Sequence, residues 1–490
     1  MKYVLSVDQS TQGTKALLFD DTGALICRRD VPHRQIISEN GWVSHDPEEI
    51  YRNLIESVRL VIEEAYIDPA KIVCMGISNQ RETSVVWDKT TGKPVCNAIV
   101  WQCARAKDQC QKVIDAGWSE AVQTRTGIPI SPYFPASKFA WILENIPGAR
   151  EKSDRQELCF GTIDTWLVYC LTGGKSYKTD YSNASRTQLF NIITLTWDAE
   201  ICQAFGMNTA DLAQVCDSDS CFGMTTIGGV LPAQIPIFGV LGDSHGALFG
   251  QGCLDHGMAK ATYGTGSSVM MNIGNTPIFS TNGLVTSLAW KFRGQVQYVM
   301  EGNLNYTGAV IRWLEKDLGL IASAAETQAL AESANPDDTT YLVPAFTGLG
   351  APYWNNDAKA IICGITRLTG KAELVKAGLD CIAYQITDIV KAMEEDTGSK
   401  LAQLRVDGGP TKNGYLMQLQ SDLLNADVLI PSDEELSGIG AAYLAGLTEG
   451  VYNDTIFDRI DRKTYMPCMQ EEDRREKYSG WKNAVALTLK

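Results

Sequence analysis

The chain has 490 residues, more than one compact core usually holds, because single cores stop growing at about 250–300 residues. It has 44% hydrophobic residues, but no apolar run reaches the roughly 18 residues that a membrane span needs. The net charge of −15 disfavours nucleic acid and anionic lipid as partners, since no cluster of Lys and Arg offsets it. We therefore expect at least two domains, no membrane association and no nucleic-acid partner.

The first residues, MKYVLSVDQS, do not have the layout of a signal peptide, because their apolar run is short and Asp8 interrupts it. The 14 cysteines mostly lie within apolar runs and form neither CxxC pairs nor a Cys/His pattern. This usage favours reduced, buried thiols over disulfides or zinc ligands. We therefore expect a cytoplasmic protein.

The first predicted elements are two strands, YVLSVD and KALLFD, which flank a turn of small polar residues. A hairpin signal, DDTG, and a third strand, LICRRDV, follow. The segment DPEEIYRNLIESVRLVIEEAY predicts an amphipathic helix capped by Asp46, with Pro47 in its first turn. Three further strands are predicted in KIVCMGIS, SVVWDKTTGKPV and NAIVWQ. Alternating strands and helices of this kind favour an α/β architecture.

The opening pattern of strand, small polar turn and strand recurs in AKATYGTGSSVMMNIGN, at residues 259–275. This repetition predicts two related α/β domains that face each other across a cleft. The segment IPIFGVLGDSHGALFGQGC precedes the second copy and is the predicted hinge region. We therefore predict an N-terminal domain at 1–250 and a C-terminal domain at 251–490.

Both polar turns are predicted to bind phosphate, because small residues let backbone N–H groups and hydroxyls converge on one point. Lys15 adds a cation to the first turn, although neither turn matches a Walker P-loop. Asp8, at the end of the first strand, would lie beside the phosphates, and this arrangement implies an intervening Mg²⁺. Gly408 and Gly409, after a later strand, would allow adenine or ribose to approach the backbone closely. The alternatives are ordinary solvated turns, with Asp8 as a cap.

The segment Gly242-Asp243-Ser244-His245-Gly246 allows two chemical interpretations. It fits the G-x-S-x-G nucleophile elbow of serine hydrolases. A hydrolase would also need a later acid and then a later His, and His256 is the only His beyond the motif. In the interpretation that we favour, Asp243 is a general base that accepts a proton from a hydroxyl attacking a γ-phosphate.

Arg81 and Glu82 follow the strand KIVCMGIS and form either a surface ion pair or part of a ligand site. Neighbouring side chains on an extended segment point apart, so we expect both to bind a polyhydroxy ligand rather than each other. Trp101 and Tyr133 offer flat apolar faces to a carbon chain, although such a residue taken alone is more often part of the core.

These segments resemble the FGGY family of carbohydrate kinases, and within it the glycerol kinases, along nearly the whole chain. The resemblance is carried by VDQSTQGTKALLFD, GWVSHDPEEI, ISNQRETSVVWDKTTGKPVCNAIVWQ, YFPASKFAWIL, GVLGDSHGALFGQ, TYGTGSSVMMN, VPAFTGLGAPYW, VDGGPTKNGYLMQLQSDLL and GIGAAYLAG. It implies an α/β fold of two ribonuclease-H-like domains, as in the actin/hexokinase superfamily, around a central cleft. It also implies ATP, Mg²⁺ and transfer of a phosphoryl group to a hydroxyl of a small polyol or sugar.

The resemblance also implies a role for individual positions. Asp243 corresponds to the catalytic base and Asp8 to the magnesium-associated carboxylate. The implied substrate contacts are Arg81, Glu82, Trp101, Tyr133, Asp243, Ser244 and Ser268. The implied nucleotide contacts are Thr11, Gln12, Thr14, Lys15, Gly264, Thr265, Gly266, Gly308, Arg312, Gly408, Gly409 and Asn413.

Three of these positions depart from the glycerol kinases. Ser244 and Arg312 each stand where those enzymes usually have Gln, and Ser268 stands where they usually have an aromatic residue. The smaller, polar Ser268 would suit a longer or more polar substrate, such as a tetritol or a ketopentose. The alternative outside the enzymes is a catalytically silent sugar or nucleotide sensor on the same fold. The resemblance also makes a homodimer a candidate assembly.

Overall fold

A computed structural model describes all 490 residues of the chain. No helix combines the length and the apolar character that crossing a bilayer requires. For description, residues 1–250 are called the first half and residues 251–490 the second half.

The strands of the first half are β1 (Tyr3–Gln9), β2 (Gly13–Phe19), β3 (Leu25–Pro32), β4 (Ile36–Ile37), β5 (Val43–His45), β6 (Ile72–Asn79), β7 (Val85–Asp88), β8 (Ala98–Ile99), β9 (Leu158–Gly161), β10 (Lys178–Asp180), β11 (Phe190–Asn191), β12 (Thr196–Trp197), β13 (Gln214–Cys216), β14 (Gly223–Thr225) and β15 (Ile235–Gly242). Its helices are α1 (Pro47–Ala65), α2 (Lys107–Asp115), α3 (Ser119–Thr126), α4 (Pro135–Asn145), α5 (Ala149–Asp154), α6 (Ile163–Leu171), α7 (Tyr181–Ala184), α8 (Ala199–Ala204) and α9 (Asp243–Gly250). The strands of the second half are β16 (Ala259–Tyr263), β17 (Ser267–Gly274), β18 (Val285–Phe292), β19 (Gln295–Leu304), β20 (Tyr341–Val343), β21 (Ile361–Cys363), β22 (Gln403–Asp407), β23 (Asp427–Pro431) and β24 (Arg462–Tyr465). Its helices are α10 (Gly308–Lys316), α11 (Thr327–Ser333), α12 (Lys371–Thr397), α13 (Gly414–Leu424), α14 (Leu436–Glu449) and α15 (Glu471–Thr488).

Each half is built on one large mixed sheet. The first sheet has the strand order β14-β15-β6-β1-β2-β3, and the second has the order β18-β19-β17-β16-β22-β23-β24. In the first sheet β3, β2 and β1 pair antiparallel, whereas β1, β6 and β15 run parallel. In the second sheet β19, β17 and β16 pair antiparallel, whereas β16, β22 and β23 run parallel. The same five-stranded arrangement therefore occurs twice, as the repeated opening of the sequence predicts.

Helix α1 begins where its sequence signals predict. The Asp46 carboxylate caps it by accepting a hydrogen bond from the N–H of Glu48 at 2.9 Å, and Pro47 is the first helical residue. Its buried side chains recur every three or four residues, as expected for one apolar face: Ile50, Leu54, Ser57, Val58 and Val61. This face covers β2 and β3.

Helix α14 joins the halves, because it belongs to the second half and packs on α9 and on the first sheet. A Cβ atom at Gly440 would overlap the carbonyl oxygen of Gly246, so only glycine allows this approach. Residues of both halves surround the contact in one buried cluster, which includes Leu241, Phe249, Trp290 and Tyr443. The boundary between residues 250 and 251 stays a prediction.

The segment predicted to be the hinge region, IPIFGVLGDSHGALFGQGC, forms β15 followed by α9, and its role as a hinge stays a prediction. Its apolar run is almost continuous because β15 is a largely buried strand that pairs in parallel with β6. The cysteines are free thiols, but only seven of the 14 are buried, whereas their place in apolar runs predicts burial for most of them.

Candidate active site

Three parallel strands of the first sheet end at one edge, where two of the predicted acidic residues lie. Asp8 of β1 is in register with Ser78 of β6, and Leu241 of β15 is in register with the same Ser78. Asp243 follows β15 as the first residue of α9. The topology therefore brings Asp8 and Asp243 to the same crevice at the carboxyl ends of the strands.

Asp8 is a buried carboxylate, with 6% of the residue exposed. It accepts a hydrogen bond from the hydroxyl of Ser78 at 2.9 Å. Burial raises the pKa of Asp8 to about 6, and the charge of Asp243 adds to this shift while that of Lys15 opposes it. Lys15 itself donates to Glu435 at 2.7 Å. Asp8 is thus a carboxylate whose nearest lysine is bonded to another group.

Asp243 is more open, with 37% of its side chain exposed. Its Oδ1 accepts a hydrogen bond from the N–H of Ser244 at 2.6 Å and lies 3.3 Å from Nε of Arg81. These two donors orient the carboxylate. Its other oxygen, Oδ2, is the one that can accept a proton from a hydroxyl.

Beside Asp243 lies a buried charged cluster, which we define as Arg81, Glu82, Arg186 and Glu301. None of the four side chains is more than 5% exposed. Nη1 and Nη2 of Arg81 donate to the two oxygens of Glu301 at 3.0 and 2.8 Å. Nε of Arg186 donates to Oε1 of Glu82 at 2.6 Å, and its Nη1 lies 2.9 Å from Oε2 of Glu301. Burial alone would raise the pKa of Glu301, but Arg186 and Arg81 hold that pKa well below its usual range.

The expectation that Arg81 and Glu82 point apart is wrong. Nε of Arg81 lies 3.8 Å from Oε1 of Glu82, and both side chains are buried, so a surface ion pair is also wrong. Glu82 has a left-handed backbone, with φ of +59°, so the chain is not extended there. Lys138, a buried residue of α4, donates to the carbonyl oxygen of Glu82 at 3.4 Å and to that of Tyr133.

An aromatic wall stands on the other side of the charged cluster. The rings of Trp101 and Tyr133 are 5.4 Å apart between centroids and are tilted by 58°. Nε1 of Trp101 donates to the hydroxyl of Thr11 at 3.0 Å, which ties this wall to the first polar turn. Ser268, from the second half, donates to Oε1 of Glu301 at 3.1 Å. The structure therefore brings the predicted substrate contacts together from both halves.

The first polar turn contains most, but not all, of the predicted phosphate contacts. Thr11 and Gln12 lie in the turn, and Lys15 is half-buried at its edge. Thr14 is fully buried in β2, and its hydroxyl has no hydrogen-bond partner in the protein. The strand begins at Gly13 and encloses the side chain of Thr14, and the contact of Thr14 with the nucleotide stays a prediction.

The second polar turn, Gly264-Thr265-Gly266, joins β16 to β17 and packs on the first turn of α10. The N–H of Gly308 donates to the carbonyl of Gly264 at 2.9 Å, and that of Ala309 donates to the carbonyl of Thr265 at 3.0 Å. A Cβ atom at Gly308 would lie 2.6 Å from the carbonyl oxygen of Gly264. Glycine at this position allows the turn and the helix to meet.

A cavity of about 810 Å³ lies next to this turn, within the size range of small-molecule sites. Four predicted nucleotide contacts line it, namely Gly308, Arg312, Gly409 and Asn413. Gly408, which directly precedes Gly409, has a φ of +102°, a backbone conformation that favours glycine.

The surroundings of Ser244 do not form a hydrolase triad. His245 is fully buried, and neither of its ring nitrogens has a hydrogen-bond partner. Burial also lowers the pKa of His245 well below its usual value. The other candidate, His256, faces Ser399 at 3.4 Å.

Two family models match the chain. The N-terminal domain of the FGGY family of carbohydrate kinases matches residues 3–250, and its C-terminal domain matches residues 259–449. The chain belongs to the FGGY family of carbohydrate kinases. Membership confirms the predicted class of enzyme and its two-domain, actin/hexokinase-like α/β fold.

Relatives within the FGGY family match the chain over its full length. Glycerol kinase 2 of Thermotoga maritima is 46% identical, and the match covers 100% of this chain and 99% of the relative. The glycerol kinase of Caldanaerobacter subterraneus is 45% identical, with 100% and 99% covered. The crystal structure of Plasmodium falciparum glycerol kinase with ADP is 36% identical, has a TM-score of 0.94, and is matched over 100% and 99% of the two chains. A xylulose kinase of Lactobacillus acidophilus, at 21% identity and a TM-score of 0.88 over 100% and 97%, shares the fold.

Sequence reasoning missed three buried charged residues of this FGGY site, namely Glu301, Arg186 and Lys138. Glu301 interrupts the apolar run of β19, and a charge in the middle of a buried strand requires partners. That signal was available in the sequence. The identity of the partners was not, because Arg81 is 220 residues away from Glu301 in the chain.

Proposed function

We propose that this protein is an ATP-dependent kinase that phosphorylates a hydroxyl of a small polyol, with glycerol as its reference substrate. The position of Asp243 carries this proposal. Its carboxylate lies between the charged cluster with its aromatic wall on one side and Asp8 with the polar turns on the other. A hydroxyl held by the cluster would therefore lie between a general base and a phosphate site.

In the proposed reaction, Asp243 accepts the proton of the hydroxyl as that oxygen attacks the γ-phosphate of ATP. Arg81, 3.3 Å from Asp243, orients the carboxylate. Glu82 accepts hydrogen bonds from neighbouring hydroxyls, while Trp101 and Tyr133 pack against the carbon chain. Positioning and electrostatics supply most of the rate enhancement in phosphoryl transfer.

On the nucleotide side, backbone N–H groups of the two polar turns would hold the phosphates, and the cavity lined by Gly308, Arg312, Gly409 and Asn413 would hold the nucleoside. Asp8 fits a magnesium site, because its carboxylate has no lysine bonded to it and Mg²⁺ typically takes one or two carboxylates besides phosphate and water. When bound, Mg²⁺ would neutralise charge on the transferring phosphoryl group.

The alternatives to a glycerol kinase are a kinase of a longer substrate and a catalytically silent sensor. Ser268 is small and half-buried, which is the observation that favours a longer substrate such as a tetritol or a ketopentose. A catalytically silent sensor would bind the same ligands without releasing ADP. Operation in the cytoplasm, supported by the free cysteines, and assembly as a homodimer stay predictions.

A coupled assay of ADP release tests the proposal across glycerol, the tetritols, D-xylulose and D-ribulose, with ATP and Mg²⁺. We expect the highest kcat/KM with glycerol, and a preference for a tetritol or ketopentose would favour the longer substrate. If no polyol or sugar stimulates ADP release although ATP binds, the sensor is correct and the kinase proposal is wrong.

A further inference from the structure

Glu301 is a carboxylate that the second half contributes to a charged cluster otherwise built by the first half. It lies on β19 and is fully buried. Its carboxylate accepts hydrogen bonds from both terminal nitrogens of Arg81 and from the hydroxyl of Ser268. One of its oxygens, Oε2, also lies 2.9 Å from Nη1 of Arg186.

We propose that Glu301 determines the charge of the substrate: by neutralising Arg81 and Arg186, it makes this site accept uncharged polyols and reject sugar acids of the same size. This inference rests on the proposed function, since it concerns the same pocket. It names a chemical class of substrate, neutral polyhydroxy compounds, and a residue that selects it.

The first reason is the geometry of the arginine donors. An arginine typically binds a carboxylate through two parallel N–H···O hydrogen bonds. Both terminal nitrogens of Arg81 already serve Glu301, and its Nε faces Asp243 at 3.3 Å. Nε of Arg186 serves Glu82, and its Nη1 lies 2.9 Å from Oε2 of Glu301 without forming a hydrogen bond. A substrate carboxylate would therefore find the donors of Arg81 occupied and the side chain of Arg186 only 1% exposed.

The second reason is the charge balance. The two arginines of the cluster are matched by its two glutamates, and Asp243 adds a further negative charge. Lys138 is the next cation, but it donates to the carbonyl oxygens of Glu82 and Tyr133, and burial lowers its pKa to about 7. His245 is neutral, because burial lowers its pKa well below the usual value. A substrate carboxylate would thus be desolvated where each cation already has a protein partner, whereas a hydroxyl can donate to Glu82 or Asp243.

The third reason is what replacing Glu301 would do. Glu301→Gln keeps the size of the side chain and an oxygen that accepts hydrogen bonds, but it removes the negative charge. Arg81 and Arg186 would then carry one uncompensated positive charge and one free pair of donors. The variant should therefore gain affinity for a carboxylate that the wild type rejects.

D-Glycerate is a suitable probe, because it has the carbon chain of glycerol with a carboxylate at one end. Isothermal titration calorimetry would measure glycerol and D-glycerate binding to the full-length wild type, Glu301→Gln and Glu301→Asp. We expect the wild type to bind D-glycerate at least about 100-fold more weakly than glycerol, because the cations of the site already pair with protein groups and form no ion pair with the substrate carboxylate. Glu301→Gln should bind D-glycerate at least about tenfold more tightly than the wild type does. Glu301→Asp keeps the charge and should stay as selective as the wild type.

Ser268→Ala is the matched control, since it removes a hydrogen bond to Glu301 without changing any charge. It should not improve D-glycerate binding. A folded Glu301→Gln variant that gains no affinity for D-glycerate overturns the inference. If that variant does not fold, the wild type still decides, because D-glycerate binding within about tenfold of glycerol binding contradicts the charge rule. Failure of the proposed kinase function can be distinguished from failure of this inference. In that case the wild type would release no ADP, whether or not it binds D-glycerate.

Discussion

The two halves of the molecule place a carboxylate at equivalent edges of equivalent sheets, but on different strands. In the first half Asp8 ends β1 and accepts the hydroxyl of Ser78 from β6 at 2.9 Å. In the second half Asp407 ends β22, the counterpart of β6, and accepts the hydroxyl of Thr262 from β16 at 3.2 Å. The carboxylate and the hydroxyl have exchanged strands within the repeated fold.

The surroundings of the two carboxylates differ as much as their strands. Burial raises the pKa of Asp407, but the buried Lys260 of the same half opposes that shift. Burial raises the pKa of Asp8 to about 6, and its nearest lysine, Lys15, is bonded to Glu435. Lys260 donates to the hydroxyl of Thr262 at 3.0 Å, and that hydroxyl donates to Asp407, so the second-half carboxylate is linked to a buried cation through Thr262. No such link joins Asp8 to Lys15, which donates to Glu435. One scaffold therefore provides a buried hydrogen-bonded network on one side and, on the other, the carboxylate that we propose as the metal site.

The largest effect that this comparison predicts comes from Asp243, at the edge of the first sheet where Asp8 lies. Asp243→Asn keeps the size of the side chain and an oxygen for the N–H of Ser244, but it cannot accept a proton. We expect kcat to fall by about 10²–10⁴-fold, the usual contribution of a general base. ATP binding, measured by calorimetry, should be retained. Turnover within about tenfold of the wild type would contradict the assignment of the base.

Asp8→Asn should produce the next largest effect, a fall in kcat of about 10²-fold with a weaker dependence on Mg²⁺. The pKa of Asp8 is about 6, so its carboxylate becomes protonated as the pH falls below that value. The Mg²⁺ concentration that half-saturates the wild type should therefore rise between pH 7 and pH 5, and added Mg²⁺ should restore the rate. A half-saturating concentration that is constant over this range would contradict the metal assignment.

The two carboxylates should affect stability in the same direction but to different extents. Burial raises the pKa of Asp407, so Asp407→Asn should raise the free energy of unfolding at pH 7, but only slightly, because it also removes the negative charge that lies near the buried Lys260. Asp8→Asn should raise stability at pH 7 by more, because burial raises the pKa of Asp8 to about 6 and the ionised form is disfavoured in the fold. This gain should disappear towards pH 4, where the carboxyl group is protonated in the folded state. Urea unfolding at pH 7 and pH 4 measures both effects, and equal changes in the two variants would contradict the comparison.

Features with local sequence signals could be predicted, and features that depend on distant contacts could not. The β1–β2 hairpin and the Asp46 cap of α1 follow from periodicity and from capping chemistry within a few residues. The left-handed backbone of Glu82 is held by Lys138, which is 56 residues further along the chain. No local pattern encodes that contact. The expectation that Arg81 and Glu82 point apart was wrong for this reason.

On the nucleotide side, Thr14 predicts the smallest effect. Its place in a run of small polar residues favoured a phosphate contact, but its hydroxyl is enclosed and has no partner in the protein. Thr14→Val replaces that hydroxyl with a methyl group of similar size. We expect an unchanged KM for ATP and a free energy of unfolding that is higher by up to about 1 kcal/mol.

Thr11→Val is the matched control, because it makes the same replacement three residues earlier, in the polar turn that precedes β2. The hydroxyl of Thr11 accepts the hydrogen bond from Nε1 of Trp101 at 3.0 Å. Removing this hydroxyl therefore breaks the contact that joins the aromatic wall to the phosphate turn. We expect KM for ATP and for the polyol to rise at least about threefold in this variant, as the loss of one hydrogen bond implies. If Thr14→Val raised the KM for ATP equally, the side chain would have to reach the cleft, and β2 would have to begin after residue 14 when nucleotide is bound. The difference between these two variants therefore measures where the phosphate turn ends and the strand begins.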